Sequence, residues 1–150
     1  MRRTTIGGPN DSKTQNFVTP GLMVSKLKLK SDPRDLLAAE SAQGIKALVP
    51  FAPGAMSWEQ NQPLQDLLIR AVDLAEAPVF LMQAENDYSP CPSRVLSKEG
   101  KKKQKNFQSK IYPAFGSSHQ DGHWGFCSSA TDVWGADGLA FLEAQMKAAP

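Results

Sequence analysis

Cysteine is scarce: Cys91 and Cys127 are the only two in 150 residues. Two thiols so far apart make no disulfide framework, and zinc sites built on thiolates need close pairs and usually four ligands. Both read as reduced thiols, which suits a cytoplasmic protein. No stretch approaches the roughly 18 consecutive apolar residues of a membrane-spanning helix, so no membrane partner is expected either. Arg2-Arg3 is followed by Gly7-Gly8-Pro9-Asn10-Asp11 rather than by an apolar segment, which argues against a secretory signal. Charge of one sign is in small excess. The 17 Lys and Arg against 15 Asp and Glu give +2, too little to imply an acidic partner. Lys98, Lys101, Lys102, Lys103 and Lys105 form one dense basic run. Lacking interleaved aromatics, it reads as a solvated helix face and not as a nucleic-acid surface.

What is present is an alternation of strand and helix patterns. Residues 1–21 are polar and rich in Gly, Thr, Asn and Pro, with little to bury against the entropy of ordering, and are expected to form a mobile N-terminal arm. The remainder, 22–150, reads as one partial α/β domain. Its first segment, 22–30, ends in alternating apolar and cationic residues, the two-residue period of a half-exposed strand. Ser31 or Asp32 is a candidate cap for a short helix through Asp35–Glu40 that stops near Gly44. Ile45–Ala52 is nearly all apolar, as in a strand covered on both faces, and ends at Pro53-Gly54. After Pro63, the steps Leu64, Leu67, Leu68, Ala71, Val72 and Ala75 put one apolar face on a helix. A strand over 78–83, a helix over about 92–104, a strand over 107–112, a long glycine-rich loop over 113–131 and a last helix with Leu139, Leu142 and Met146 on one side complete the chain. This order predicts right-handed crossovers: an α/β fold with a partial parallel sheet and flanking helices.

Two residues stand where such a sheet opens. Asp87 follows the apolar run Ala77–Gln83, and His123 lies in Gln120-Asp121-Gly122-His123-Trp124-Gly125-Phe126, after the strand over 107–112. Residues just past the C-terminal ends of parallel strands share one edge, where ligands bind. In a hydrolase triad the histidine moves the nucleophile's proton while the carboxylate fixes the imidazole's tautomer, and an acid followed by a histidine is the order used on α/β sheets. His119 competes with His123, and Glu85 and Asp121 compete with Asp87. His123 is favoured because Gly122 and Gly125 leave its surroundings uncrowded. Asp121 shares a loop with His123, so a separate strand-borne carboxylate would orient the ring more rigidly. Among the three tryptophans, Trp124 is the candidate for a substrate-binding role.

These residues resemble the α/β-hydrolases of dienelactone hydrolase type. The resemblance runs from about Leu36 to Ala148 and is carried by Phe51-Ala52-Pro53-Gly54-Ala55-Met56-Ser57-Trp58, by Gln83-Ala84-Glu85-Asn86-Asp87-Tyr88-Ser89, by Ile111-Tyr112-Pro113 and by 120–126. It implies the C-terminal half of that fold, with Asp87 as the triad acid and His123 as the base. The implied reaction is hydrolysis of a small-molecule ester or lactone through an acyl-enzyme, without metal or organic cofactor. The departure from the family pattern lies ahead of the helix at 36–40, where a glycine-flanked serine or cysteine elbow belongs. The chain reads Lys28-Leu29-Lys30-Ser31-Asp32-Pro33-Arg34-Asp35 there, without a glycine to relieve the turn. Ser31, Ser57 and Cys91 all lack that setting.

Three expectations follow. The chain is a hydrolase fragment, weak or silent by itself; or it is a non-catalytic ligand-binding or protein-interaction module derived from that fold; or a partner supplies the missing strands and nucleophile. The edge of strand 45–52 offers a route to self-association, unless segment 22–30 pairs there and blunts the edge with its lysines.

Overall fold

The computed structural model describes residues 45–148 together with two short strands, β1 (Val18–Thr19) and β2 (Leu22–Met23). These two pair antiparallel, Val18 opposite Met23 and Thr19 opposite Leu22. Thus part of the expected arm is a strand, and Leu22–Met23 pairs with it. The rest of the arm, the rest of segment 22–30 and the helix expected at 35–44 lie outside the described residues, as does Ser31.

The centre of the domain is a parallel pair, β3 (Val79–Ala84) and β4 (Phe107–Tyr112), in register from Val79 opposite Phe107 to Ala84 opposite Tyr112. Every residue of β3 is buried, and its side chains alternate between two cores. Val79 and Leu81 face one cluster with Leu68, Ala71, Val72, Leu96 and Phe107. Phe80, Met82 and Ala84 face the other with Phe51, Tyr112, Phe126, Trp134 and Phe141. A strand covered on both faces explains the unbroken apolar run, because each full burial of a Val or Leu contributes about 1.5–3 kcal/mol.

The strand expected at 45–52 is replaced by two isolated parallel bridges, Leu48 to Val79 and Phe51 to Met82. Pro50 is the cause. Leu48 donates to Pro78 O at 2.8 Å, Phe80 to Leu48 O at 2.9 Å, Met82 to Pro50 O at 3.1 Å and Ala52 to Met82 O at 3.0 Å. The missing rung is the one that an N–H at position 50 would supply, and proline has none. The segment still lies beside β3 in parallel register.

Helix α1 (Gln62–Leu74) begins where Asn61 Oδ1 accepts from Leu64 N at 3.0 Å, with Pro63 in the first turn. It buries Leu68, Ala71 and Val72, while Leu67 stays exposed. Helix α2 (Cys91–Lys102) returns the chain from the end of β3 to the start of β4. Gly100 lets α2 lie against β4, because a Cβ there would come 2.5 Å from Phe107 Cβ.

The long loop expected over 113–131 is largely helical instead. Helical turns start at His119 and pass through a π-turn, Asp121–Gly125, into α3 (Phe126–Ser129). Glycines at 116, 122 and 125 suggested a loop, yet two of them serve close packing within this helical segment. Helix α4 (Thr131–Ala148) buries Trp134, Gly138 and Phe141 rather than a stripe through Leu139 and Met146. Met146 is exposed, Leu142 packs at the core margin, and Trp134 Nε1 donates to Phe126 O at 2.9 Å. No disulfide joins Cys91 to Cys127, which belong to opposite cores. Among the described residues no helix is long and apolar enough to cross a membrane.

Candidate active site

The turn after β3 and the π-turn after β4 meet at the C-terminal edge of the sheet. There His123 Nδ1 lies 2.9 Å from Asp87 Oδ1 and 3.1 Å from Asp87 Oδ2. Both side chains are almost completely shielded from solvent, at 2% and 0% exposure. Burying a carboxylate is costly unless it is bonded and paired, and Asp87 is both. Gln83 Nε2 donates to Oδ2 at 3.0 Å, and the Tyr88 amide donates to Oδ1. A carboxylate on Nδ1 fixes the tautomer with the proton on that nitrogen and makes Nε2 the basic one. This is the arrangement a general base needs from its orienting acid.

Sequence placed His123 on a loop; its place in a π-turn is what aims it. Such a turn widens the helix by one residue, and these bulges recur at functional sites. Gly122 is pressed onto the acid turn, since a Cβ there would lie 2.6 Å from Asn86 Oδ1 and 2.7 Å from the Asn86 carbonyl carbon. Gly116, at φ +67°, makes the bend that brings the chain back, and a Cβ on it would come 2.4 Å from Asp121 Cβ. Asn86 then joins the two turns. Its Nδ2 donates to Phe115 O and Ser118 O, each at 2.9 Å, and its Oδ1 accepts from Phe115 N at 2.9 Å.

The competing residues have other work. His119 is exposed, with Nδ1 3.0 Å from Asn86 O. Asp121 accepts from the Ser117 and Ser118 amides and from the Ser118 hydroxyl. The Ser118 hydroxyl first, and the two amides after it, hold the Asp121 carboxyl below the usual carboxylate range. Glu85 is exposed, and its amide donates to Tyr112 O. Ser57 is exposed beside a 3-10 turn at Trp58–Gln60, and Cys91 packs at the margin of the core beneath α1 and α2.

Trp58 and Trp134 are buried, each 3% exposed, whereas Trp124 is 49% exposed. The Trp124 ring stands 4.9 Å from the His123 ring at 83°, edge to face. Tyr88, 42% exposed, meets His123 from another side at 5.5 Å and 75°. Gln83, Asn86 and Tyr88 were unassigned by sequence reasoning. A glutamine ending an otherwise apolar buried strand was the available signal for the first, because such an amide needs partners. Gln83 Nε2 also holds the turn through Ser89 O at 2.7 Å, and Ser89 Oγ donates to Glu59 Oε1 at 2.7 Å.

Among the described residues no group of three or more His, Cys, Asp or Glu could hold a metal ion. Comparison of the chain with protein families, curated proteins and solved structures finds no match.

Proposed function

We propose that this chain carries the acid and base of a hydrolase of the dienelactone hydrolase type, acting on an ester or lactone. The carrying observation is the shielded bond between Asp87 and His123, held by Gln83 Nε2 and the Tyr88 amide. His123 Nε2 takes a proton from the attacking oxygen or sulfur and returns it to the leaving alcohol, while Asp87 stabilises the imidazolium that forms between these steps. Among residues 45–148 no serine or cysteine stands in a glycine-flanked elbow, so the nucleophile is to come from the preceding segment or from a partner, and where neither supplies it His123 activates water slowly. A non-catalytic binding module is the second reading, favoured by the sequence Lys28–Asp35, which lacks a glycine elbow.

Hydrolysis of p-nitrophenyl acetate separates the two. Slow turnover is expected that falls to the buffer rate in His123→Ala and by roughly a hundredfold or more in Asp87→Asn. Ser31→Ala tests the preceding segment for the nucleophile. A wild-type rate equal to that of a folded His123→Ala variant would overturn the hydrolase reading and leave the binding module.

A further inference from the structure

The seam between α2 and β3 ends in two polar side chains. The face that α2 turns to the sheet is Ser93, Leu96, Ser97 and Gly100, in three- and four-residue steps. On β3, Val79 and Leu81 face that helix, and the two-residue period of the strand turns Gln83 the same way. Gly100 lies against Phe107, the partner of Val79, so α2 runs back along β3 and brings Ser93 to the level of Gln83. The connecting turn has the same register: Gln83 Nε2 donates to Ser89 O at 2.7 Å, and Ser93 stands about one helical turn beyond Ser89.

Gln83 and Ser93 are both wholly buried, at 0% exposure. Among the described residues, Gln83 Oε1 and Ser93 Oγ are the two buried side-chain atoms without a hydrogen-bond partner. Buried polar groups are paired in the great majority of cases, with protein or with ordered water, because an unpaired one loses its hydration without return. The amide cannot answer this by flipping. Its Nε2 is fixed by two acceptors, Asp87 Oδ2 at 3.0 Å and Ser89 O, and a flip would press Oε1 onto both. The group that fits is small, neutral, and both donor and acceptor. An anion would meet Asp87 behind the same amide, and a hard cation would find two neutral oxygens where such ions take six or more.

We propose that one internal water molecule is bound between β3 and the first turn of α2, donating to Gln83 Oε1 and hydrogen-bonded to Ser93 Oγ. A chain of bonds then runs from Ser93 through this water and the Gln83 amide to Asp87. A donor on Oε1 polarises the amide and strengthens the bond that its Nε2 gives to the carboxylate. The site stands apart from the hydrolase reading, because it rests on the packing of α2 against β3 alone.

Melting curves of the full chain and of Ser93→Ala give the first test. A dry seam predicts a rise, because alanine is the better helix former and removes an unpaired hydroxyl. The bound water predicts a fall of about 2 °C, because the water loses a partner and the Gln83 amide its fixed donor. An unchanged or higher melting temperature overturns the proposal. Oxygen-17 magnetic relaxation dispersion of the solvent gives the second test, since it counts water molecules held for longer than the protein takes to tumble and is blind to exchanging hydroxyl protons. The wild type is expected to show a dispersion whose amplitude falls by one water in Ser93→Val, where the added methyl groups fill the site. No dispersion in the wild type, or an amplitude that a folded Ser93→Val variant retains in full, overturns the proposal.

Discussion

Replacing Gly122 by alanine sets two effects of known size against each other. In a helical turn, alanine gains about 1 kcal/mol over glycine from backbone entropy. Here the new methyl would sit 2.6 Å from Asn86 Oδ1 and 2.7 Å from the Asn86 carbonyl carbon. The Oδ1 atom cannot swing away cheaply, because it accepts from Phe115 N at 2.9 Å while Nδ2 of the same amide holds two carbonyls. Relief therefore requires the π-turn and the acid turn to part by roughly 0.7 Å, and overpacking of this kind costs about 1–3 kcal/mol. The same parting would stretch the 2.9 Å bond between His123 and Asp87 past hydrogen-bonding range. Set against the gain of about 1 kcal/mol, the steric cost leaves a net loss of up to about 2 kcal/mol, with a fall in melting temperature of roughly 4 °C per kcal/mol. Gly135→Ala is the internal control: nothing lies within 4 Å of a Cβ there, so the helical gain should appear unopposed. Thermal melts of the two variants, followed by circular dichroism, settle the comparison. A Gly122→Ala protein as stable as Gly135→Ala would refute the close approach of the two turns.

Two further outcomes follow from the packing and charge. Gly100→Ala would drive a methyl to 2.5 Å from Phe107 Cβ, and after the helical gain of about 1 kcal/mol should still cost up to about 2 kcal/mol in a denaturant melt with unchanged slope. Asp137 accepts from Lys110 Nζ at 2.6 Å and Tyr112 Oη at 2.7 Å, and these bonds, Lys110 first, lower its pKa, while burial first and Asp137 second push the Tyr112 phenol up. A depressed carboxylate contributes stability above its unfolded value of about 3.9 and loses it as pH falls through the folded value. Since both side chains of the ion pair are well exposed, Asp137→Asn should cost no more than about 1 kcal/mol at pH 7, and the difference from wild type should begin to shrink as pH falls below about 4 and vanish only once pH has dropped through the lowered folded value.

Legibility in the sequence followed the strength of each local signal. The helix after Pro63 and the strand beginning near residue 79 were plain, because a three-to-four period and an unbroken apolar run both record burial directly. Pro50 was visible in Ile45–Ala52, yet its effect on the ladder depended on which of its neighbours' amides face β3. The segment 113–131 misled because Gly116, Gly122 and Gly125 mark loops in isolation, whereas here Gly122 and Gly125 permit helical turns to pack against Asn86 and Phe115. For α4, the three- and four-residue steps of Leu139, Leu142 and Met146 competed with Trp134, Gly138 and Phe141. The larger rings took the core, where they meet Phe51 and Phe80. Asp87 and His123 were singled out by order and position, but the contacts that hold them, from Gln83 and Asn86, exist only after the two turns come together.

The central claim is that His123 keeps its proton on Nδ1 because the Asp87 carboxylate is there to receive the bond. Nitrogen-15 NMR of ring-labelled histidine at mildly alkaline pH reads this directly. The account predicts the Nδ1-protonated tautomer for neutral His123 in the wild type, and a shift of population toward the Nε2-protonated form in Asp87→Asn. A wild-type His123 protonated on Nε2, with a spectrum that Asp87→Asn leaves unchanged, would contradict it.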